Sequence, residues 1–314
     1  MKASITTLIA TAAAATLVAG AANAQDLRLM TGPQGGSWYP LGGAIQNIVQ
    51  NGMDGVSVQV LPGGGIANVK GIATGRADVA FANSVSTVDA IEGRGAFEER
   101  AENVCNVATL YPQYFQIVTL ADSGIESVGD LAGKALATQP RGNTAEDITR
   151  GLLEAAGLTY DDMSQMHFVS YSDGVSLMKD GNAAAMTLGT TVPASAIMDL
   201  ASGSDIKMLS LDEALMNEMQ SRNPGYQKLT IPAGSYPGQD EDVQVIGYAT
   251  HVVARCDLDE EIVHGMLAGM VENLGDLQAI AGAMKGLTPE QMAQDVGVPM
   301  HEGAKRFYEE QGVM

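Results

Sequence analysis

Gly75-Arg-Ala-Asp-Val-Ala-Phe81 and Gly181-Asn-Ala-Ala-Ala-Met-Thr187 are two versions of one phrase, set 106 residues apart. In each, a glycine suited to stopping a helix precedes a short run of small and apolar residues suited to a strand. At the same offset, the helix positions Val69 and Ile72 meet Val175 and Met178. Upstream, Gly36-Ser37 follows a Leu27 to Thr31 strand, and its counterpart Gly142-Asn143 follows a Lys134 to Thr138 strand. Leu41, Ile45, Ile48 and Val49 share a helical face, Val56, Val58 and Val60 alternate as a strand, Ile66 to Ala73 marks a helix ending near Gly75, and Asp78 to Ala82 reads as a strand. This β-α-β-α order predicts a mainly parallel sheet with helices on both faces. Its repetition predicts an α/β protein of two lobes, with a ligand cleft where their strand-end loops face each other. Beyond Asp205 to Leu211, the turn-rich stretch from Asn223 to Gly238 and the strand-like Val243 to Ala254 read as a return to the first lobe. Leu258, Ile262, Val263, Met266 and Met270 then keep a helical period, and His301 to Glu310 closes the chain.

Lys2, the small and apolar run from Ile5 to Ala19, and Ala22-Asn23-Ala24 together read as a cleavable export signal over residues 1–24. The rest of the 314-residue chain has room for two domains of ~100–150 residues each. Cys105 and Cys256 are the only cysteines: in an oxidising compartment they either pair or stay as buried thiols, and they supply no zinc spacing. Asp and Glu outnumber Lys and Arg by 37 to 17, which repels nucleic acid and anionic lipid and argues against both as partners. A bound anion stays compatible with that charge, because local backbone dipoles act inside the ~8 Å screening distance.

Thr31 to Gly43, Thr-Gly-Pro-Gln-Gly-Gly-Ser-Trp-Tyr-Pro-Leu-Gly-Gly, is the outstanding motif. Its glycines let backbone approach a ligand, and the free N–H groups at the following helix start favour an anion. Gly36, Ser37, Trp38 and Tyr39 are candidate contacts there. In the matching loop, Arg141, Gly142, Asn143 and Thr144 are candidates, and the Arg141 guanidinium suits a carboxylate. Gly65 and Asn68 follow a third glycine-rich turn, while Asn83 and Ser84, and in the second lobe Thr187 with Thr190, stand at strand ends. Small polar groups at such places recognise a ligand and do not catalyse. His167 sits in an apolar run and reads as a core residue; no histidine has H-E-x-x-H context, and Walker, G-x-S-x-G, EF-hand and C-x-x-C patterns are absent. No cofactor and no enzymatic activity are expected.

These motifs, with Gly63-Gly-Gly-Ile-Ala-Asn68, Thr109-Leu-Tyr-Pro112, Ala121-Asp-Ser-Gly-Ile125, Leu152-Leu-Glu-Ala-Ala-Gly-Leu158, the Thr230 to Gln239 block and His301-Glu-Gly-Ala-Lys-Arg-Phe-Tyr308, resemble the TAXI family of TRAP transporter solute receptors. The resemblance runs over nearly all of the chain past residue 24. It implies a periplasmic-binding-protein-like fold, with lobe I over residues 26–114 plus 246–314 and lobe II over 115–245. It also implies a receptor that binds a small organic acid such as glutamate or a 2-oxoglutarate-like dicarboxylate; with the export signal, a periplasmic location is expected, and the protein is expected to be a monomer. The partner would be an integral-membrane TRAP permease. Trp38 and the Pro-Arg-Gly-Asn-Thr of residues 140–144 depart from the commoner Tyr and Gly-Ser-Gly-Thr of that family. A receptor for an ATP-driven importer, a ligand sensor and a secreted α/β enzyme are the rival readings.

Overall fold

The computed structural model describes residues 25–32 and 37–314. The expected export signal and Gly36 lie outside the described residues. The first repeat comprises β1 (Gln25–Met30), α1 (Trp38–Gly52), β2 (Val56–Leu61), α2 (Gly65–Ala73), β3 (Val79–Asn83) and α3 (Ser84–Glu92). A long strand, β4 (Cys105–Leu120), leads to the second repeat: β5 (Ala135–Thr138), α4 (Thr144–Ala155), β6 (Gln165–Phe168), α5 (Tyr171–Lys179), β7 (Ala185–Thr190) and α6 (Ser195–Ala201). Then come β8 (Ile206–Met208), α7 (Glu213–Arg222), β9 (Tyr226–Ile231), the returning β10 (Val243–Ala254), α8 (Glu260–Glu272), α9 (Leu274–Ile280), α10 (Pro289–Met292) and α11 (Glu302–Glu310). The 106-residue spacing read from the sequence holds at the starts of α1 and α4, of α2 and α5, and of β3 and β7.

The strands form one sheet in the order β2-β1-β3-β10-β4-β7-β5-β6, with β8 beside β4 and β9 beside β10. Exchanging each repeat for the other leaves that order unchanged. Pairing is parallel inside each repeat. It is antiparallel wherever β4, β8, β9 or β10 takes part. The sheet is therefore mixed, not mainly parallel as the βα alternation predicted. The cause is topological: a chain that crosses from one repeat to the other and returns must run its two crossing strands in opposite directions.

Burial divides along those crossing strands. One core joins residues from Leu27 to Tyr111 with residues from Val252 to Tyr308. Two others fill the opposite half between Phe115 and Tyr248, with Val85 of α3 joining one of them. Helix α1 shows what drives the elements together: Leu41, Ile45 and Val49 are each 1% exposed. At roughly 1.5–3 kcal/mol per side chain, that face outweighs the cost of about 1 kcal/mol each for Gly42 and Gly43 inside the helix. Cys105 and Cys256 are bonded, which ties the start of β4 to the residues just after β10.

Several elements escaped the sequence reading, β4, β9 and α3 among them. Strand β4 is buried along most of its length, so it shows no alternation. Strand β9 lies inside the turn-rich stretch, and α3 begins directly after β3 with no loop to announce it. His167 is not a core residue: it sits half-buried on the edge strand β6, with Nε2 3.1 Å from the Asn182 carbonyl oxygen. A run of apolar letters looks interior only until one side of it faces the end of a sheet.

Candidate functional site

A cavity of about 230 Å³ lies where the two repeats meet. Ser37 and Trp38 at the start of α1, Gly64 and Gly65 at the start of α2, Asn143 and Thr144 at the start of α4, and Tyr171 at the start of α5 all line it. Gly32, Asn83, Gly189 and Thr190 add strand ends, and Gln113 of β4 with Tyr248 of β10 forms the wall between the repeats. Four helix starts thus point into one space, and no charged side chain is among its described lining residues.

The two repeats are not electrostatic equals. Helix α4 has its N-cap Asn143 accepting the Ala145 N–H and carries Glu146 and Asp147 in its first turn. Helix α5 has Ser170 accepting the Asp173 N–H and carries Asp173 in its first turn. Helices α1 and α2 have no side-chain cap among the described residues and no acid in their first turns. Carboxylates at a helix start offset the positive end of its dipole. The first repeat therefore keeps the stronger anion-attracting ends and the second has largely neutralised its own.

Hydrogen bonds set the walls. Trp38 stacks on Phe81 at 5.7 Å between centroids and donates Nε1–H to the Tyr111 hydroxyl at 3.1 Å. The Ser37 hydroxyl stands 3.4 Å from the same oxygen. Burial pushes the Tyr111 phenol above its ordinary range, so it stays protonated. Tyr171 donates to the Gly189 carbonyl at 2.9 Å and accepts the Gly189 N–H at 3.2 Å, and burial pushes its phenol up to about 12. Across the cavity, Asn83 Nδ2 donates to Thr144 Oγ1 at 3.1 Å, and Ser86 Oγ lies 3.0 Å from that atom. The approach is close enough to demand glycine: a Cβ on Gly65 would stand 2.4 Å from Thr144 Oγ1, and one on Gly189 would stand 2.2 Å from the Tyr248 hydroxyl.

Of the residues singled out from sequence, Ser37, Trp38, Gly65, Asn83, Asn143, Thr144 and Thr190 come together on the cavity wall. Tyr39 lies in α1, half-buried and off that wall. Asn68 is fully buried and braces the loops from behind: Oδ1 accepts the Gly64 N–H, and Nδ2 donates to the carbonyls of Thr31 and Phe81. Ser84 donates to the Gly225 carbonyl and accepts the Ala249 N–H, joining α3 to β10 and to the turn before β9. Thr187 is buried among the hydroxyls of Thr138 and Thr149. Gly142 is exposed with its N–H toward Glu146. Arg141 is exposed too, its guanidinium 4.2 Å from the Phe168 ring centroid, so it stacks on an aromatic face away from the cavity wall.

Tyr171 and Gly189 were missed although the signal was present: the 106-residue offset applied to Gly65 and Asn83 lands on them. Gln113 and Tyr248 had no such signal, since they reach the site only through the pairing of β4 with β10.

Among the described residues, no cluster of three His, Cys, Asp or Glu side chains is placed to hold a metal ion, and no helix is long and apolar enough to cross a membrane. The fold is similar to that of a putative L-cystine ABC transporter protein from Listeria monocytogenes, 14% identical over 84% of this chain and 97% of that one, with a TM-score of 0.50. A putative periplasmic sulfonate-binding protein from Methylobacillus flagellatus KT aligns at 17% identity over 91% of this chain and 78% of its own, with a TM-score of 0.49. At such identity the first likeness speaks for the fold alone, which is the mixed α/β, periplasmic-binding-protein-like one with a cleft between two halves. The profile of the NMT1-like family matches residues 29–312, and the chain belongs to that family.

Proposed function

We propose that this protein is a periplasmic solute receptor that captures a small organic anion in the cleft and delivers it to a membrane permease. The observation that carries the reading is the convergence of four helix starts from two repeats on one cavity with no charged side chain among its described lining residues. Such a site offers N–H and O–H donors to an anion, and offers no described carboxylate, metal cluster or activated nucleophile at the wall for covalent work. The asymmetry of the helix ends orients the ligand: its carboxylate lies against α1 and α2, and its remaining polar groups face Thr144, Tyr171 and Thr190. The anion is held by neutral donors, with Arg141 stacked on Phe168 and outside the contact shell.

The sequence blocks shared with TAXI receptors support an ion-gradient-driven TRAP permease as the partner and glutamate or a 2-oxoglutarate-like acid as the ligand. In this reading the leader directs export, residues 26–114 and 246–314 form one lobe, residues 115–245 form the other, and the two bend about β4 and β10. Binding then shifts the equilibrium toward a closed form that the permease recognises.

Trp38, the sole tryptophan, reports on the test. Its emission is expected to change on titration with glutamate or 2-oxoglutarate, with the acid recovered unaltered by mass spectrometry. Silence toward a broad panel of carboxylates and sulfonates, together with no small molecule carried through purification, would remove the receptor reading. Chemical turnover of a panel member would favour an enzyme instead.

A further inference from the structure

The two crossing strands have a second side, and it is hollow as well. Gln113 pairs with Tyr248, and the neighbouring Pro112 pairs with Ala249, across β4 and β10. Successive residues of a strand face opposite sides of its sheet. Gln113 and Tyr248 wall the cleft; Pro112 and Ala249 line a separate cavity of about 280 Å³ behind it. One wall of this back cavity is the segment from Ala283 to Gln294, whose Met284, Leu287 and Met292 belong to the core of the first half. The facing wall is Gln227 and Leu229 of β9, and Leu229 packs on a core of the second half.

The cleft and the back cavity thus share one floor and have walls in the same two bodies, on opposite sides of the strands about which those bodies would bend. Bending that draws the cleft walls together spreads the back walls, and bending that opens the cleft brings Ala283 to Gln294 toward β9. In the arrangement described here, the repeats already touch across the cleft through Asn83, Ser86 and Thr144, and the back cavity stands open.

We propose that the back cavity is the mechanical counterpart of the cleft: bulk lodged between Ala283 and Gln227 obstructs opening and holds the protein closed without ligand. The proposal rests on the receptor reading in one respect, that the molecule opens and closes. It assigns a control point at a site where no ligand contact is made. Because apparent affinity scales with the fraction of molecules already competent to bind, removing an open state favoured about 10 to 1 would tighten binding by about tenfold.

Ala283→Phe tests this from one wall and Gln227→Phe from the other, with Ala283→Ser as the control without bulk. Phenylalanine leaves Trp38 as the only tryptophan, so its emission remains interpretable. Circular dichroism confirms folding, and small-angle scattering then gives the radius of gyration of each ligand-free variant. Either phenylalanine is expected to reduce that radius below the wild-type value and to move Trp38 emission, while Ala283→Ser changes neither. Folded phenylalanine variants with an unchanged or larger radius would overturn the proposal. Wild-type protein with glutamate and with 2-oxoglutarate is measured alongside. Failure of both acids to bind counts against the ligand reading, while ligand-free compaction of the variants still decides the present inference.

Discussion

Gly65 shows how narrow the tolerances at the cleft are. A methyl group there would collide with Thr144 Oγ1 and crowd Asn83 Nδ2, the two atoms whose hydrogen bond closes the gap between the repeats. Gly65→Ala is therefore expected to weaken ligand binding by about tenfold or more, roughly the 1.4 kcal/mol that a single lost hydrogen bond represents. The melting temperature should fall too, because the same clash breaks the Asn83–Thr144 hydrogen bond of the ligand-free protein; titration of Trp38 emission beside a melting curve measures both effects. His251 makes a different point. It is fully buried on β10, Nδ1 3.0 Å from Asn106 Oδ1 and Nε2 2.8 Å from the Thr87 hydroxyl, and burial lowers its pKa to about 3. The unfolded chain, with an ordinary value near 6.5, takes up a proton before the folded chain does. Stability is thus complete above about pH 6.5 and falls as pH drops from there toward 3. His251→Gln should cost about 1–3 kcal/mol at neutral pH and flatten that part of the curve, which urea unfolding at several pH values measures. An unflattened curve would mean that other groups set the acid limit.

At the level of elements, the decisive contrast is between bare and neutralised helix starts. Replacing Glu146, which lies in the first turn of α4 and accepts from the Tyr160 hydroxyl and the Gly142 N–H, by Gln would unmask part of the α4 dipole. Glu146→Gln is expected to strengthen binding of an anion by up to several-fold, at ~0.3–1 kcal/mol for a charge at a helix end; isothermal titration reads it, and weaker binding would reverse the assigned polarity. The Cys105–Cys256 bond clamps one end of the two crossing strands over a separation of 151 residues. Changing both cysteines to serine should cost about 2–4 kcal/mol in denaturant unfolding. The sequence disclosed the paired helices because their starts obey a fixed offset and glycine marks their stops. It disclosed half of the cleft for the same reason. Gln113 and Tyr248 stayed hidden because they sit in strands whose neighbours are distant in sequence, and Asn68, Ser84 and Thr187 looked like ligand contacts because a buried brace and an exposed recogniser use the same small polar side chains.

For the molecule as a whole, a formal charge of −20 surrounds a cleft proposed to take an anion. The distant surface repels such a ligand over a Debye length of about 30 Å at 0.01 M salt but only ~8 Å at 0.15 M, whereas the helix ends act at contact. Association should therefore quicken by a few-fold as salt rises through that range, with dissociation changing less; stopped-flow Trp38 emission checks it, and a rate that falls with salt would show local attraction governing capture. The arrangement of the chain has a further consequence for how the protein comes into being. The core between Phe115 and Tyr248 is nearly contiguous, whereas the other needs Leu27 and Leu29 of β1 together with Phe307 and Tyr308 of α11. A polypeptide that emerges amino end first can finish the middle body early, but the outer one must wait with half of its greasy surface uncovered until the last helix arrives.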